Sequence, residues 1–326
     1  MEDVLRSGIG AWALGLLVGC GPVIEPRASE PPNLVVYAID TLRADDAWRH
    51  EDGRPVAPRL AALREQCLSY DDVVAQGAWT RPTMASVLTG LVPQRHGAWG
   101  QGRPLAPEAD TLAERLHGEG YLTHAVVNNP ILGESMGFGR GFDGFELLDV
   151  RGDGTVHAPS SDVGGRAEAW LRARDATAPF FLWVHAADPH SPYDPADGAR
   201  APASPSSDHP VGSLGWMWDL RNGRIAEPQL ELARAHHLYR DEIRRNDASL
   251  GRLVDLLDEL ELRDDTLLLV VSDHGEEFGE HGGHEHGKSL SREIVEVPAV
   301  LCGPGVAPGR IATTVGQVDL LPSTLA

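Results

Sequence analysis

Residues 33–40 read NLVVYAID, an apolar, β-branched run that ends on a carboxylate. A strand that is apolar at successive positions must be covered on both faces, because its side chains alternate between the two sides of a sheet. The same type recurs at YLTHAVVNN (121–129), PFFLWVHAAD (179–188), DDTLLLVVSDHG (264–275) and VPAVLCGPG (297–305). Helical periodicity fills the intervals, over PRLAALREQCL (58–68) and near 110–118, 163–174 and 229–262. Such alternation predicts an α/β fold, a mostly parallel sheet with helices on both faces in a three-layer sandwich. Ligands of these sheets gather at the carboxyl ends of the strands. Asp40, His185, Asp188 and the pair Asp273 and His274 all stand at such ends, and no internal repeat interrupts the pattern.

The chain is long enough, at 326 residues with 42% hydrophobic content, to bury a large core. Its 48 acidic against 28 basic residues give a net charge of −20, which argues against nonspecific binding to nucleic acid or to an anionic membrane face. An anionic substrate would therefore need a local cation. Three cysteines, Cys20, Cys67 and Cys302, are too few for a disulfide framework. The last two read as buried thiols with room for a single bridge. At the N-terminus Arg6 precedes the apolar run IGAWALGLLVG (9–19), short for a bilayer span but suited to a signal-peptide core. It ends in Leu17, Val18, Gly19 and Cys20, which resembles a bacterial lipobox whose cysteine receives the lipid. Glu2 and Asp3 depart from the basic flank usual there, and an ordinary secretory signal or a buried helix are the alternatives. The expected organisation is a lipoprotein signal peptide over 1–19, a Pro-rich tether over 20–32 and one catalytic domain over 33–326. The protein would then be lipid-anchored in the bacterial cell envelope, facing the periplasm in a diderm, with Cys20 as the lipidated residue.

A second informative stretch is AWTRPTMASVLTGLVPQRHG (78–97). Thr80 can cap a short helix that Pro82 helps to open and Gly90 stops. Nothing in that local reading requires chemistry, so Thr80 is either a helix cap or a nucleophile.

Together with NLVVYAIDTLRADD, FFLWVHAADPHSPYDP, VVSDHGEEFGEHG, HGKSLSREIVEVPAVLCGPG and VGQVDLLP, that stretch occurs in an order that resembles the sulfatase family of the alkaline phosphatase superfamily, from about residue 33 to the end. The resemblance implies an alkaline phosphatase-like fold and metal-dependent cleavage of an anionic ester. Asp40, Asp273 and His274 correspond to metal ligands, and Thr80 to the nucleophile that also meets the metal. His190 and His286 fall where members bind substrate or assist the leaving group. It also implies that the chain lacks the C-terminal subdomain that follows VGQVDLLP in other members.

Family sulfatases carry Cys or Ser at the nucleophile position, oxidised to formylglycine, and Arg four residues on, where this chain has Thr80 and Met84. Oxidising the β-carbon of Thr would give a ketone rather than an aldehyde, so Thr80 cannot become formylglycine. Threonine is instead the nucleophile of members that act on phosphate esters and diesters. Thr41 stands where many calcium-dependent members have a second Asp. One carboxylate fewer and one imidazole suit Zn²⁺ or Mn²⁺ better than Ca²⁺, and His185, Asp188 and His190 offer donors for a second metal.

The expected activity is hydrolysis of a phosphate mono- or diester through Thr80. A head-group transferase acting on a glycan or lipid, and an inactive binding protein that keeps the fold, are the alternatives. Each site residue also has a local role open to it. Asp40 and Asp273 can open turns, His281 and His284 read as surface, and DPHSPY can be a plain turn. Arg43, Asp45 and Lys288 are read either as groups near the substrate or as surface ion pairs. Met84 has the spacing of a core residue.

Overall fold

The computed structural model describes residues 31–100, 102–148, 158–195 and 201–325, all of which except Pro31 belong to the unit Pro32–Ala326. The signal peptide, Cys20 and nearly all of the tether lie outside the described residues.

The main strands are β1 (Asn33–Ile39), β2 (Leu68–Val74), β3 (Leu122–Val127), β4 (Gly144–Leu147), β5 (Phe180–Ala186), β6 (Thr266–Ser272), β7 (Glu296–Cys302), β8 (Gly309–Ile311) and β9 (Val315–Gly316). They form one 9-stranded sheet in the order β8-β2-β7-β6-β1-β5-β3-β4, with β9 also pairing β2. The expected parallel sheet is present with one exception. VPAVLCGPG forms β7, which runs antiparallel to both β2 and β6. Strand β2 was hidden in the sequence because Asp71 and Asp72 interrupt its apolar pattern, and the helix before it ends at Gln66 rather than continuing to Leu68.

Strand β1 is buried along its whole length, as its continuous apolar sequence requires. Val35, Tyr37 and Ile39 face one core, packed by helices α1 (Pro58–Gln66), α4 (Ser160–Ala173), α5 (Leu214–Arg221) and α6 (Pro228–Glu259). Leu34, Val36 and Ala38 face a second core with helices α2 (Thr80–Thr89), α3 (Leu112–Gly118) and α7 (Gln317–Leu325). The period of two along one strand thus builds a three-layer sandwich. Cys67 and Cys302, next to the paired residues Leu68 and Leu301, are joined by a disulfide.

Register sets up the site. Ile39 pairs with Ser272 on one side and with Ala186 on the other. Asp40 and Asp273, each one residue beyond its strand, therefore leave the sheet side by side.

Candidate active site

Asp40 is fully buried, and its Oδ2 accepts from Asn129 Nδ2 at 3.0 Å. Its Oδ1 lies 3.7 Å from His274 Nε2. Asp273 Oδ1 accepts from the backbone N–H of Thr41 at 3.0 Å and of His274 at 2.7 Å. Its Oδ2, 3.4 Å from His274 Nε2, is buried with no hydrogen-bond partner. The His274 Nδ1–H donates to the carbonyl of Gly275 at 2.8 Å, which leaves the lone pair on Nε2 directed to the carboxylates.

Thr80 opens α2, and the structure corrects its reading as a cap. The N-cap position belongs to Trp79, and Thr80 is the first helical residue. Its hydroxyl turns instead toward the carboxylate and imidazole, with Oγ1 3.5 Å from Asp40 Oδ1 and 3.3 Å from His274 Nε2. Pro82 lies in the first turn, where its missing N–H is harmless, and Gly90 ends the helix in the left-handed conformation at φ 66°. All ten residues of α2 are buried. Met84 is a core side chain, as its spacing predicts.

The same cluster is electrostatically frustrated. Burial and the neighbouring charge of Asp273 push the Asp40 carboxyl well above its ordinary range. Burial holds the His274 imidazole below its usual value, and therefore neutral. Two buried carboxylates, one with an orphaned oxygen, face a neutral imidazole whose lone pair points at them. That donor set fits a divalent cation, which would supply the missing charge. Among the described residues, Asp40, Asp273 and His274 are the grouping whose donor atoms lie close enough to share a metal, within 4.8 Å of one another.

His286 and His190 extend the cluster outward. The His286 ring lies 4.4 Å from that of His274 and 5.0 Å from that of His190, centroid to centroid. The His286 Nδ1–H donates to Glu276 at 2.9 Å, and Glu276 also accepts from the hydroxyl of Tyr193 at 2.9 Å. Burial pushes Glu276 up to about 7 and His190 down to about 4. Among the described residues, the donors offered for a second metal, His185, Asp188 and His190, do not form a grouping close enough to share one. Asp188 Oδ2 is committed to Ser160 at the start of α4, accepting from its N–H at 2.9 Å and its hydroxyl at 2.8 Å. His185 is buried, with Nε2 3.9 Å from Asp40 Oδ2.

Arg43 is a buried ion-pair centre rather than an exposed cation, donating to Asp45, to Glu280 and to the carbonyl of Glu276. Lys288 is exposed and shares Glu285 with Arg221. His281 is on the surface, paired with Glu293, whereas His284 is partly buried.

Three site residues escaped the sequence reading. Asn129 ends the VVNN run and could have been found by the strand-end rule that found Asp40. Glu276 lies two residues past His274 in a run of acidic residues with nothing to distinguish it. Gln317 gives no local signal, yet its Nε2 donates to the carbonyls of Ser272 and Asp273 at 2.6 and 2.7 Å, and its Oε1 accepts from the N–H of Gln76 at 3.2 Å.

Comparison with known proteins identifies the family. The family described as Sulfatase matches residues 32–326. The chain is 23% identical to arylsulfatase K of Homo sapiens over 364 residues, covering 98% of this chain and 67% of the relative. It is 24% identical to an ulvan-active sulfatase of Formosa agariphila over 323 residues, covering 90% and 61%. The chain thus spans about two thirds of the length of these curated relatives. Its fold matches that of a phosphonate monoester hydrolase of Agrobacterium radiobacter with a TM-score of 0.68 at 22% identity, over 89% of this chain and 72% of that one.

Proposed function

Because this chain belongs to the sulfatase family of ester-bond hydrolases across residues 32–326, we propose that it cleaves a phosphate mono- or diester through a covalent Thr80 intermediate. The observation that carries this reading is the position of Thr80 Oγ1, 3.3 Å from His274 Nε2 and 3.5 Å from Asp40 Oδ1, inside the one grouping of donors fit for a metal among the described residues. A divalent cation held by Asp40, Asp273 and His274 would lower the pKa of the Thr80 hydroxyl and polarise the ester oxygens. Asn129 orients Asp40 by a hydrogen bond, and the backbone N–H groups of Thr41 and His274 fix Asp273. In the first step the Thr80 oxygen bonds to phosphorus while the ester bond to the leaving oxygen breaks. A ring nitrogen of His286, oriented by Glu276, or of His190 beside it, takes up the proton that Thr80 loses and passes it to that oxygen. Water then attacks phosphorus in the threonine intermediate, releasing phosphate from a monoester or a phosphomonoester from a diester and regenerating the Thr80 hydroxyl. The helix that starts at Thr80 directs its free N–H groups at the same anion.

Imidazole and two carboxylates favour Zn²⁺ or Mn²⁺ over Ca²⁺. The lack of any route from Thr80 to an aldehyde favours phosphate over sulfate esters. The Cys67–Cys302 disulfide supports an oxidising, extracytoplasmic setting. Lipid attachment at Cys20 would place the enzyme on the membrane, and labelled fatty acid entering the wild type but not Cys20→Ala is its test.

The test of the mechanism compares variants on matched aryl phosphate, phosphodiester and sulfate esters. Thr80→Ala should abolish turnover while metal and fold persist, Thr80→Ser should keep part of it, and Asp273→Ala should lose metal and turnover together. Unchanged turnover in Thr80→Ala, or faster cleavage of the sulfate esters, would remove the Thr80 mechanism. Transfer of the labelled phosphoryl group to an alcohol in preference to water would reassign the protein as a transferase.

A further inference from the structure

Among the described residues four that are not glycine have left-handed backbone, Thr41 (φ 56°), Asp52 (φ 49°), Glu261 (φ 57°) and Glu285 (φ 64°). Asp52 lies in the tight turn between the paired segments His50–Glu51 and Arg54–Pro55, and Glu261 follows the end of α6. Turns and helix ends commonly use this conformation. Thr41 also lies in a turn, but its side chain resists this conformation more than theirs do. It is β-branched, it directly follows Asp40, and its N–H is one of the two that hold Asp273. A β-branched residue keeps a left-handed backbone only where its surroundings enforce it.

The enforcing group is on α6. Tyr239 is fully buried, and its hydroxyl donates to the carbonyl of Thr41 at 2.8 Å while accepting from the N–H of Arg43 at 3.0 Å. One oxygen therefore closes the turn from both sides of Leu42. The ring is held independently, edge-on against Phe278 at 5.1 Å and Tyr193 at 6.1 Å.

We propose that Tyr239 is a positioning residue of the metal site, whose hydroxyl holds Thr41 left-handed and thereby sets Asp40 and Asp273 at the spacing a cation requires. The inference rests on the reading of Asp40, Asp273 and His274 as metal ligands. Tyr239→Phe keeps the ring and removes only the oxygen. Tyr37→Phe is the control, because it also deletes a fully buried hydroxyl, the donor to Asn246 at 2.9 Å, without touching the Thr41 turn.

The experiment is calorimetric titration of Mn²⁺ and of Zn²⁺ into metal-stripped wild type, Tyr239→Phe, Tyr37→Phe and Tyr239→Phe/Thr41→Gly, with melting curves on the same samples. Tyr239→Phe should bind about tenfold more weakly, a loss of about 1.4 kcal/mol, while Tyr37→Phe lowers the melting temperature and leaves metal affinity within about twofold of wild type. Thr41→Gly in the Tyr239→Phe background should recover most of the affinity, because glycine takes a positive φ without strain. Wild-type affinity in Tyr239→Phe, a loss that Thr41→Gly leaves in place, or an equal loss in Tyr37→Phe would each overturn the inference. A wild type that binds neither ion would instead sink the metal-site reading on which the inference stands.

Discussion

Gln317→Met tests how much of the site is held from a distance. The side chain is fully buried and makes three hydrogen bonds, two to the carbonyls of Ser272 and Asp273 and one from the N–H of Gln76. It thus ties the strand end that carries Asp273 to the loop that leads into Thr80. Methionine preserves length and volume and removes all three bonds. At about 1 kcal/mol net for each bond, the loss is about 3 kcal/mol. A unit of roughly 300 residues has an unfolding entropy near 0.6 kcal/mol/K, so the melting temperature should fall by about 5 °C. The two anchored loops carry a proposed metal ligand and the proposed nucleophile, so turnover of an aryl phosphate should fall as well, with the variant still folded at assay temperature. Differential scanning calorimetry and a rate measurement on the same preparation decide it. A melting temperature within about 1 °C of wild type would show that the three carbonyl and amide groups find other partners, and that Gln317 does not hold the site together.

Gly275→Ala should be among the most damaging single-carbon changes in the chain, because a Cβ there would sit 1.9 Å from the carbonyl oxygen of Glu293; soluble, active Gly275→Ala with wild-type metal affinity would refute that close approach. Removing the Cys67–Cys302 bridge, which closes 235 residues of sequence, should cost about 2–5 kcal/mol. It should lower the melting temperature of Cys67→Ser/Cys302→Ser and of dithiothreitol-treated wild type alike, and an unchanged melt in both would mean that the thiols are not joined in solution.

The fold was legible because β1, β3, β5 and β6 are buried on both faces, and a strand in that environment leaves only apolar side chains to choose from. Strand β2 failed the same test since Asp71 and Asp72 reach solvent and pair with Arg310, Arg64 and Thr314. The reversal of β7 left no trace in composition, because direction is set by connection and not by which side chains are buried. Asp40, Asp273 and His274 were visible for a geometric reason, namely that strand ends in a parallel sheet converge. Thr80 was placed at the right helix end but in the wrong position, since a threonine that caps and one that opens the first turn look alike in sequence. Gln317 and Tyr239 could not be read at all. They act through backbone groups, and a backbone carbonyl has no sequence signature.

The charge balance of the whole chain gives the site its logic. A protein of net charge −20 that binds an anionic ester must offset its own repulsion locally, yet several cations among the described residues are already engaged. Arg43 is paired with Asp45 and Glu280, Arg221 and Lys288 share Glu285, and Arg81 spends its donors on the carbonyls of Ile131 and Gly100. His274, His286 and His190 are all held below their ordinary values by burial, so they contribute lone pairs and hydrogen bonds and not positive charge at neutral pH. Among the described residues, two sources of positive potential for the substrate remain, the N-terminus of α2 and a cation at Asp40, Asp273 and His274. The first supplies about half an elementary charge, too little to balance two buried carboxylates as well as a phosphate. On this reading, the cation that activates Thr80 is also what lets so acidic a protein bind an anion there.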